Sequence, residues 1–544
     1  MAKVEILDDK WLQFDTLAPE VITRTMPQSK IVSRQGIDST VVVPWEYDNM
    51  QALAYMGLPY ISTIARDFDF SGPYEPKAHQ LIICNVATVH NRGYCFADMG
   101  LGKTASFIWS ASYLAQLGLV KKILVVCPKV VMRAAWMHEL AMLAPFDSVA
   151  ILDGSADKRR KQVEKNAKWD VINYEGVEVL HAELLAKRYD LVIVDESTMI
   201  KNPASARWKF LNEVTSKVPR LWLLSASPTP QGPMDAFGQL KLVSPTTIPR
   251  EYYAFRNAVM QVGRPAYETR AGAKVPAQWV AKPDSNEVLK LFFTPAIRLD
   301  KADWVKELPP ICDMYLEVPL STEQDKALKA LHKQVLKAQI TDETIAGGII
   351  SKVYQISSGC MYKEDESGER ETIRYDMQPK VDAVKEIIEE AKARHDGDFV
   401  GGKTLIYVSH RHVCEYLTEE LSKTYKVGKV IGGSTNRSDI LHAFETSDEY
   451  EVIVAVSSAM SHGVTAIAAN KIIWFTPATS TEVFIQAGER THRIGQRQEG
   501  RRARHPRSRP RRGAVLGRSG RGEDEHRGQL DGLPGDRRAR APLP

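Results

Sequence analysis

Apolar residues fall along this chain in short continuous runs, and the runs come in two blocks. The first block holds GYCFA (93–97), KILVVCP (122–128), DVINYE (170–175), DLVIVDE (190–196) and RLWLLSAS (220–227). The second holds KTLIYVSH (403–410), KVIGGST (429–435), YEVIVAVSS (450–458) and KIIWFTP (471–477). Runs this short, rich in Val, Ile and Leu without alternation, are the pattern of strands buried on both faces. Helical stretches lie between them, among them TASFIWSASYLAQLG (104–118) and KVDAVKEIIEEAKA (380–393). Strand–helix alternation in two blocks predicts an α/β fold of two domains with mostly parallel sheets. The blocks span residues 71–245 and 380–499. Between them, residues 246–379 read as a helical insertion and linker without the buried-strand pattern, its clearest helix being STEQDKALKALHKQVLKAQ. Residues 1–70 form a small accessory region, and no internal repeat is present.

Bulk numbers narrow the class. A chain of 544 residues is too long for a single core. Its 44% hydrophobic and 26% charged residues suit a soluble globular protein. The opening MAKVEILDDK has no apolar h-region, and no run of 18 apolar residues follows, so neither export nor membrane insertion is expected. The six cysteines (84, 95, 127, 312, 360, 414) contain no C-x-x-C pair, which suits the reducing cytoplasm and excludes a disulfide framework or zinc knuckle. His410, His412 and Cys414 in SHRHVC invite a metal reading, but no second ligand cluster accompanies them. The expectation there is a strand end running into a helix.

Charge is unevenly placed. Residues 500–544 hold 13 arginines, no lysine and five acids, a net +8, whereas the whole chain carries +5. The preceding 499 residues therefore sum to −3. Any nucleic-acid surface in the folded part must be a local groove.

FADMGLGKTAS joins the strand at 93–97 to the helix at 104–118. A loop with Gly100 and Gly102 that ends in Lys-Thr at a helix N-terminus offers backbone N–H groups and the positive helix end to phosphate. Lys103 would reach the β- and γ-phosphates and the Thr104 hydroxyl would hold Mg²⁺. Ala97 stands where the strict G-x-x-x-x-G-K-[ST] pattern begins with glycine. In VIVDEST (192–198), Asp195 and Glu196 end a buried strand, where parallel α/β sheets place ligand chemistry. Asp195 would bind Mg²⁺ through water, and Glu196 would orient or deprotonate the attacking water. Taken alone, the pair also reads as a strand-end cap.

Further on, QAGERTHRIGQ (486–496) places Gln486, Arg490 and Arg493 at offsets of zero, four and seven. A capping box at Thr479 and Glu482, and Gly495 as a left-handed stop, predict a helix with these three on one stripe about 10 Å long. By itself the stripe is also compatible with a solvated basic face. An ATP γ-phosphate held by the first block supplies the anion that Arg490 and Arg493 need, as arginine fingers that act when the lobes close. Hydrolysis coupled to relative motion of two lobes describes a motor.

Read together over residues 74–496, these motifs resemble the SWI/SNF-type, helicase-like DNA translocases of superfamily 2, in a short phage-type form. The resemblance rests on Gln80, ADMGLGKT, CPKVVMRAAWMHE (127–139), DESTMIKN, LSASPTPQG, GGSTNRSDILHAF and QAGERTHRIGQ, in that order. It implies two RecA-like P-loop NTPase lobes with the helical insertion between them, ATP and Mg²⁺ as cofactors, and Gln80 as the reader of adenine. It also implies nucleotide-site roles for Gly463 and Gln486 beside Lys103, Thr104, Asp195, Glu196, Arg490 and Arg493. Two departures stand out. Thr198 replaces the usual histidine that ends the acid box, and Met460 and Ser461 stand where glycines are usual near Gly463.

The implied substrate is the duplex DNA backbone, tracked without strand separation by a monomer, with Lys129, Ser409 and Ser434 as candidate phosphate contacts. A cytoplasmic setting follows, that of the host if the chain is of phage origin. A strand-separating helicase of the same superfamily is the first alternative, and a nucleic-acid-binding scaffold with a vestigial nucleotide site is the second. After Gln496 the composition changes to EGRRARHPRSRPRRGAVLGRSGRG, expected to be a disordered basic tail or the product of a shifted reading frame.

Overall fold

The computed structural model describes residues 4–35, 38–70, 72–268, 274–305, 311–337, 343–364, 370–393, 403–433, 436–460, 466, 468–478, 480–488 and 500–504. Two compact units divide the chain, one holding residues 1–261 and 280–304 and the other residues 262–279 and 305–504.

At the start of the first unit stands a four-stranded antiparallel sheet in the order Val4–Leu7, Trp11–Thr16, Asp38–Pro44, Lys30–Gln35. Its strands alternate as a sheet with one covered face should. Leu12, Phe14, Val41 and Val43 point inward onto Ile22, Met50 and Leu53 of the helices Pro19–Thr25 and Tyr47–Tyr55. Val89, the last residue of the helix Ala78–Val89, joins the same core, so the accessory sheet is packed directly onto the α/β domain.

The main sheet of this unit has seven strands, all parallel. Their order is Ala296–Leu299, Arg92–Ala97, Arg220–Ser225, Leu191–Asp195, Ile123–Cys127, Trp169–Asn173, Val149–Leu152. Five of the seven coincide with the continuous apolar runs. The two edge strands do not. Ala296–Leu299 lies within the stretch read as a helical insertion, and only Ile297 and Leu299 of its AIRL are buried. Covered on fewer sides, Ala296–Leu299 lacks the continuous apolar run that marks the interior, whereas Val149–Leu152 is apolar throughout but only four residues long.

The second unit carries a six-stranded parallel sheet in the order Ile311–Tyr315, Gly500–Arg504, Ala469–Trp474, Lys403–Val408, Val452–Val456, Val427–Val430. One face is covered by Val381, Val384 and Ile388 of the helix Gln378–Ala393 together with Val413, Leu417 and Leu421 of Arg411–Ser422. Ile440, Leu441 and Phe444 of Arg437–Thr446, with Ala487 of Thr481–Gly488, cover the other. The tail read as disordered from residue 500 therefore begins as a strand. Gly500–Arg504 pairs with Ile311–Tyr315 on one side and with Lys471, Ile472 and Ile473 on the other. A parallel ladder is built from main-chain N–H and C=O groups, which every residue here supplies, so apolar side chains are not required. Residues 505–544 lie outside the described residues. Among the described residues no helix is long and apolar enough to cross a membrane.

Candidate functional site

The strand Arg92–Ala97 delivers the chain to the carboxyl end of the first sheet, and the helix Lys103–Gln116 carries it away. Between them the loop turns through left-handed backbone at Gly100 (φ +85°) and at Gly102 (φ +72°), the latter being the residue before the helix. A Cβ at 102 would meet the amide end of Gln80, so a side chain there would have to displace it as well as adopt the left-handed backbone. Gln80 is thus buried against the glycine loop, and its Oε1 accepts from the N–H of Lys77 (2.9 Å) at the start of the helix Ala78–Val89.

Lys103 turns its ammonium back over the loop, where Nζ donates to the carbonyls of Ala97 (2.6 Å) and Asp98 (3.3 Å). Asp98 is anchored in turn by the far edge strand. Its N–H donates to Leu299 O (3.0 Å) and its Oδ2 accepts from Lys301 N–H (2.8 Å). Thr104 follows Lys103 in the first helical turn and is half-buried.

Asp195 and Glu196 stand at the end of Leu191–Asp195, with the strand Arg220–Ser225 between them and the loop strand. Burial raises the Asp195 carboxyl above the ordinary aspartate range, opposed by the indole N–H of Trp136, the charge of Lys103 and the N–H of Glu196. The Trp136 bond spans 3.0 Å to Oδ2, and the Glu196 bond 3.1 Å to Oδ1. Glu196 itself has φ 55° and ψ 56°, a left-handed conformation that costs a non-glycine residue about 1 kcal/mol. Two partners hold the turn. The phenol of Tyr174 donates to the carbonyls of Asp195 (2.6 Å) and Glu196 (3.1 Å). The Ser197 hydroxyl donates to Oε1 of the fully buried Gln239 (2.7 Å), whose Nε2 donates to the carbonyls of Pro228 (2.6 Å) and Asp235 (3.0 Å).

Gln239 therefore ties the acid box to the segment after Ser225 and Ser227, beside Thr198, where the histidine of the resembled family is missing. Lys201 adds a second tie through Gln231 (2.6 Å) and Asp235 (3.2 Å). Neither Tyr174 nor Gln239 stood out as a site residue in the sequence. Tyr174 closes the apolar run DVINY like any strand-end aromatic, and a glutamine inside an apolar helix was the one signal for Gln239.

The remaining candidates are placed as follows. Lys129 is exposed after the strand Ile123–Cys127, its Nζ 3.6 Å from Asp153. In the second unit, Ser409 uses its N–H on Thr476 Oγ1 (2.6 Å) and its hydroxyl on the Pro477 carbonyl. Gln486 is buried in the helix Thr481–Gly488. The helix is capped by Ser480, whose Oγ accepts from Val483 N–H (3.2 Å), one residue after the expected Thr479 box. Ser434, Gly463, Arg490 and Arg493 lie outside the described residues. Of the SHRHVC trio, His412 lies 3.3 Å from Thr372 Oγ1 and the buried Cys414 thiol donates to Val454 O (3.5 Å).

Against known families, residues 47–383 match the model of the SNF2-related domain. The chain belongs to the SNF2-related family. Residues 380–495 match the helicase conserved C-terminal domain, so the SNF2-related part is followed by the partner domain in sequence. Curated relatives include the SWI/SNF-related matrix-associated actin-dependent regulator of chromatin subfamily A-like protein 1 homolog of Caenorhabditis elegans, 26% identical over 407 residues, covering 74% of this chain and 54% of that protein. Putative protein p41 of Acyrthosiphon pisum secondary endosymbiont phage 1 is 25% identical over 377 residues, covering 65% of this chain and 76% of that one. Among solved structures, the Sulfolobus solfataricus SWI2/SNF2 ATPase core in complex with dsDNA aligns with a TM-score of 0.40 and 21% identity over 81% of this chain and 89% of that chain. This SNF2-related chain spans about half or less of the first curated relatives, 54% of the nematode protein and 39% of its Xenopus tropicalis counterpart.

Proposed function

We propose that this SNF2-related chain is an ATP-hydrolysing motor that moves along duplex DNA. The observation that carries the reading is the pairing of a glycine-shaped phosphate loop, closed by Gln80 and Lys103, with the Asp195–Glu196 turn at the same end of one sheet. The fit to a nucleoside triphosphate is local. Gly100 and Gly102 let backbone N–H groups approach phosphate, and the N-terminus of Lys103–Gln116 presents its positive end there. Thr104 and Asp195 are the oxygen donors suited to Mg²⁺, a hard cation that keeps several of its waters. When bound, Mg²⁺ would neutralise charge developing on the transferred phosphoryl group.

In this reading Lys103 leaves the Ala97 and Asp98 carbonyls for the β- and γ-phosphates. Gln80 reads the adenine edge, and Glu196 takes the proton of the attacking water. Arg490 and Arg493 stabilise the transition-state charge, with Gln486 and Gly463 completing the nucleotide contacts of the helicase C-terminal domain. Lys129, Ser409 and Ser434 contact the DNA backbone. Phosphate contacts carry no sequence information, so binding is non-specific and weakens steeply with salt. The exposure of Lys129 supports this role more strongly than the geometry of Ser409, whose hydroxyl is already engaged internally.

The test is ATP turnover measured with no nucleic acid, single-stranded DNA, duplex DNA and duplex RNA. Stimulation by duplex DNA above the other three supports the reading. Equal stimulation by duplex RNA, or none by any of the three nucleic acids, rejects it.

A further inference from the structure

Tyr174 is buried to 1% exposure at the point where the strand Trp169–Asn173 passes into the helix Tyr174–Val179. That strand is separated from Leu191–Asp195 by Ile123–Cys127, so the phenol reaches past one strand end to meet the acid turn. It arrives at main-chain oxygens, 2.6 Å from Asp195 O and 3.1 Å from Glu196 O. These carbonyls flank the left-handed Glu196, whose backbone angles are uncommon for a residue with a side chain. The ring is itself held. The Arg207 guanidinium lies 5.4 Å over it and pairs with Glu175 at 2.7 Å. Burial and the neighbouring acids Asp195 and Glu196 push the phenol's pKa well up, so the hydroxyl stays a donor across the working pH range.

A tyrosine used only for packing would bring its ring and leave the hydroxyl to water or to any nearby acceptor. Here the hydroxyl is shared between the two carbonyls that fix where the Glu196 side chain leaves the main chain. We propose that Tyr174 is a positioning residue for Glu196, setting the rate of hydrolysis through the left-handed acid turn and leaving nucleotide affinity to the phosphate loop. The inference rests on the reading of Glu196 as the residue that takes the proton from water.

The experiment compares Tyr174→Phe, Glu196→Gln and the double variant in full-length protein, measuring kcat, KM for ATP, ATP affinity and thermal midpoint. Tyr174→Phe keeps the ring and removes only the donor, so kcat falls about tenfold, the effect of one buried hydrogen bond, with KM and affinity unchanged. On the Glu196→Gln background the same change has no further effect, because there is no longer a base to aim. A purely structural role would instead reduce both backgrounds by the same factor, which overturns the proposal. Wild-type kcat in Tyr174→Phe beside an inactive Glu196→Gln overturns Tyr174's role alone. Full turnover in Glu196→Gln overturns this inference and the reading beneath it together.

Discussion

The indole N–H of Trp136 donates to Oδ2 of Asp195 across 3.0 Å. Trp136 is fully buried in the π-helical turn Met132–Met137, so the donor is fixed before any ligand arrives. It is the largest of the influences that hold the Asp195 carboxyl down against the burial that raises it. Removing it by Trp136→Phe leaves burial less opposed and moves the Asp195 pKa further up. In the role proposed for Asp195 the carboxylate is the form that would serve Mg²⁺, so the acid limb of the pH–rate profile of ATP hydrolysis shifts to higher pH. An unchanged acid limb would show that Asp195 ionisation does not govern the rate.

The same carboxyl makes a stability prediction of the opposite kind. Its folded pKa is raised above the unfolded value, so the native state holds the proton more tightly than the unfolded chain does. The cost of burying the charge is absent below the unfolded aspartate pKa and is present in full once pH exceeds the folded one. Asp195→Asn therefore melts at a higher temperature than the parent at neutral pH, and the difference disappears on acidification. Turnover is lost in the same variant. Melting curves at several pH values check it.

How much of this was legible before the structure depends on the kind of interaction. Interior strands such as Ile123–Cys127 and Leu191–Asp195 are buried along their length, so their composition marks them. Of the edge strands, Ala296–Leu299 is interrupted by Arg298, and Val149–Leu152 is apolar throughout but only four residues long. Gly500–Arg504 could not be found from side chains at all, because its place depends on main-chain pairing with two neighbours. Lys103, Asp195 and Glu196 stand out in the sequence as candidates because phosphate chemistry restricts residue type and spacing. Tyr174, Gln239 and Lys301 reach the site through the arrangement of strand ends and helices distant in sequence, which no local spacing records.

Gly238 tests the tie between the acid box and the segment after Ser227. A Cβ there would stand 2.3 Å from Ile200 O and 2.5 Å from Lys201 O, both main-chain atoms that cannot rotate away. Its N–H also donates to Lys201 O (3.1 Å). Gly238→Ala should destabilise the protein by about 3 kcal/mol through overpacking, read from urea unfolding. Gly348→Ala is the control, since nothing lies within 4 Å of a Cβ at that position. Equal stability of the two variants would mean the acid-box segment yields freely.

The measurement closest to the central claim is ATP hydrolysis by Lys103→Ala at saturating duplex DNA, with DNA binding followed in parallel. Lys103 is the cation that the phosphate loop itself supplies, and its removal leaves the glycines, Gln80 and the acid turn in place. The account predicts that DNA-stimulated turnover falls to background while duplex DNA is still bound. Retention of the parent's stimulated rate would contradict it, because the phosphate loop would then not be where the hydrolysed nucleotide sits.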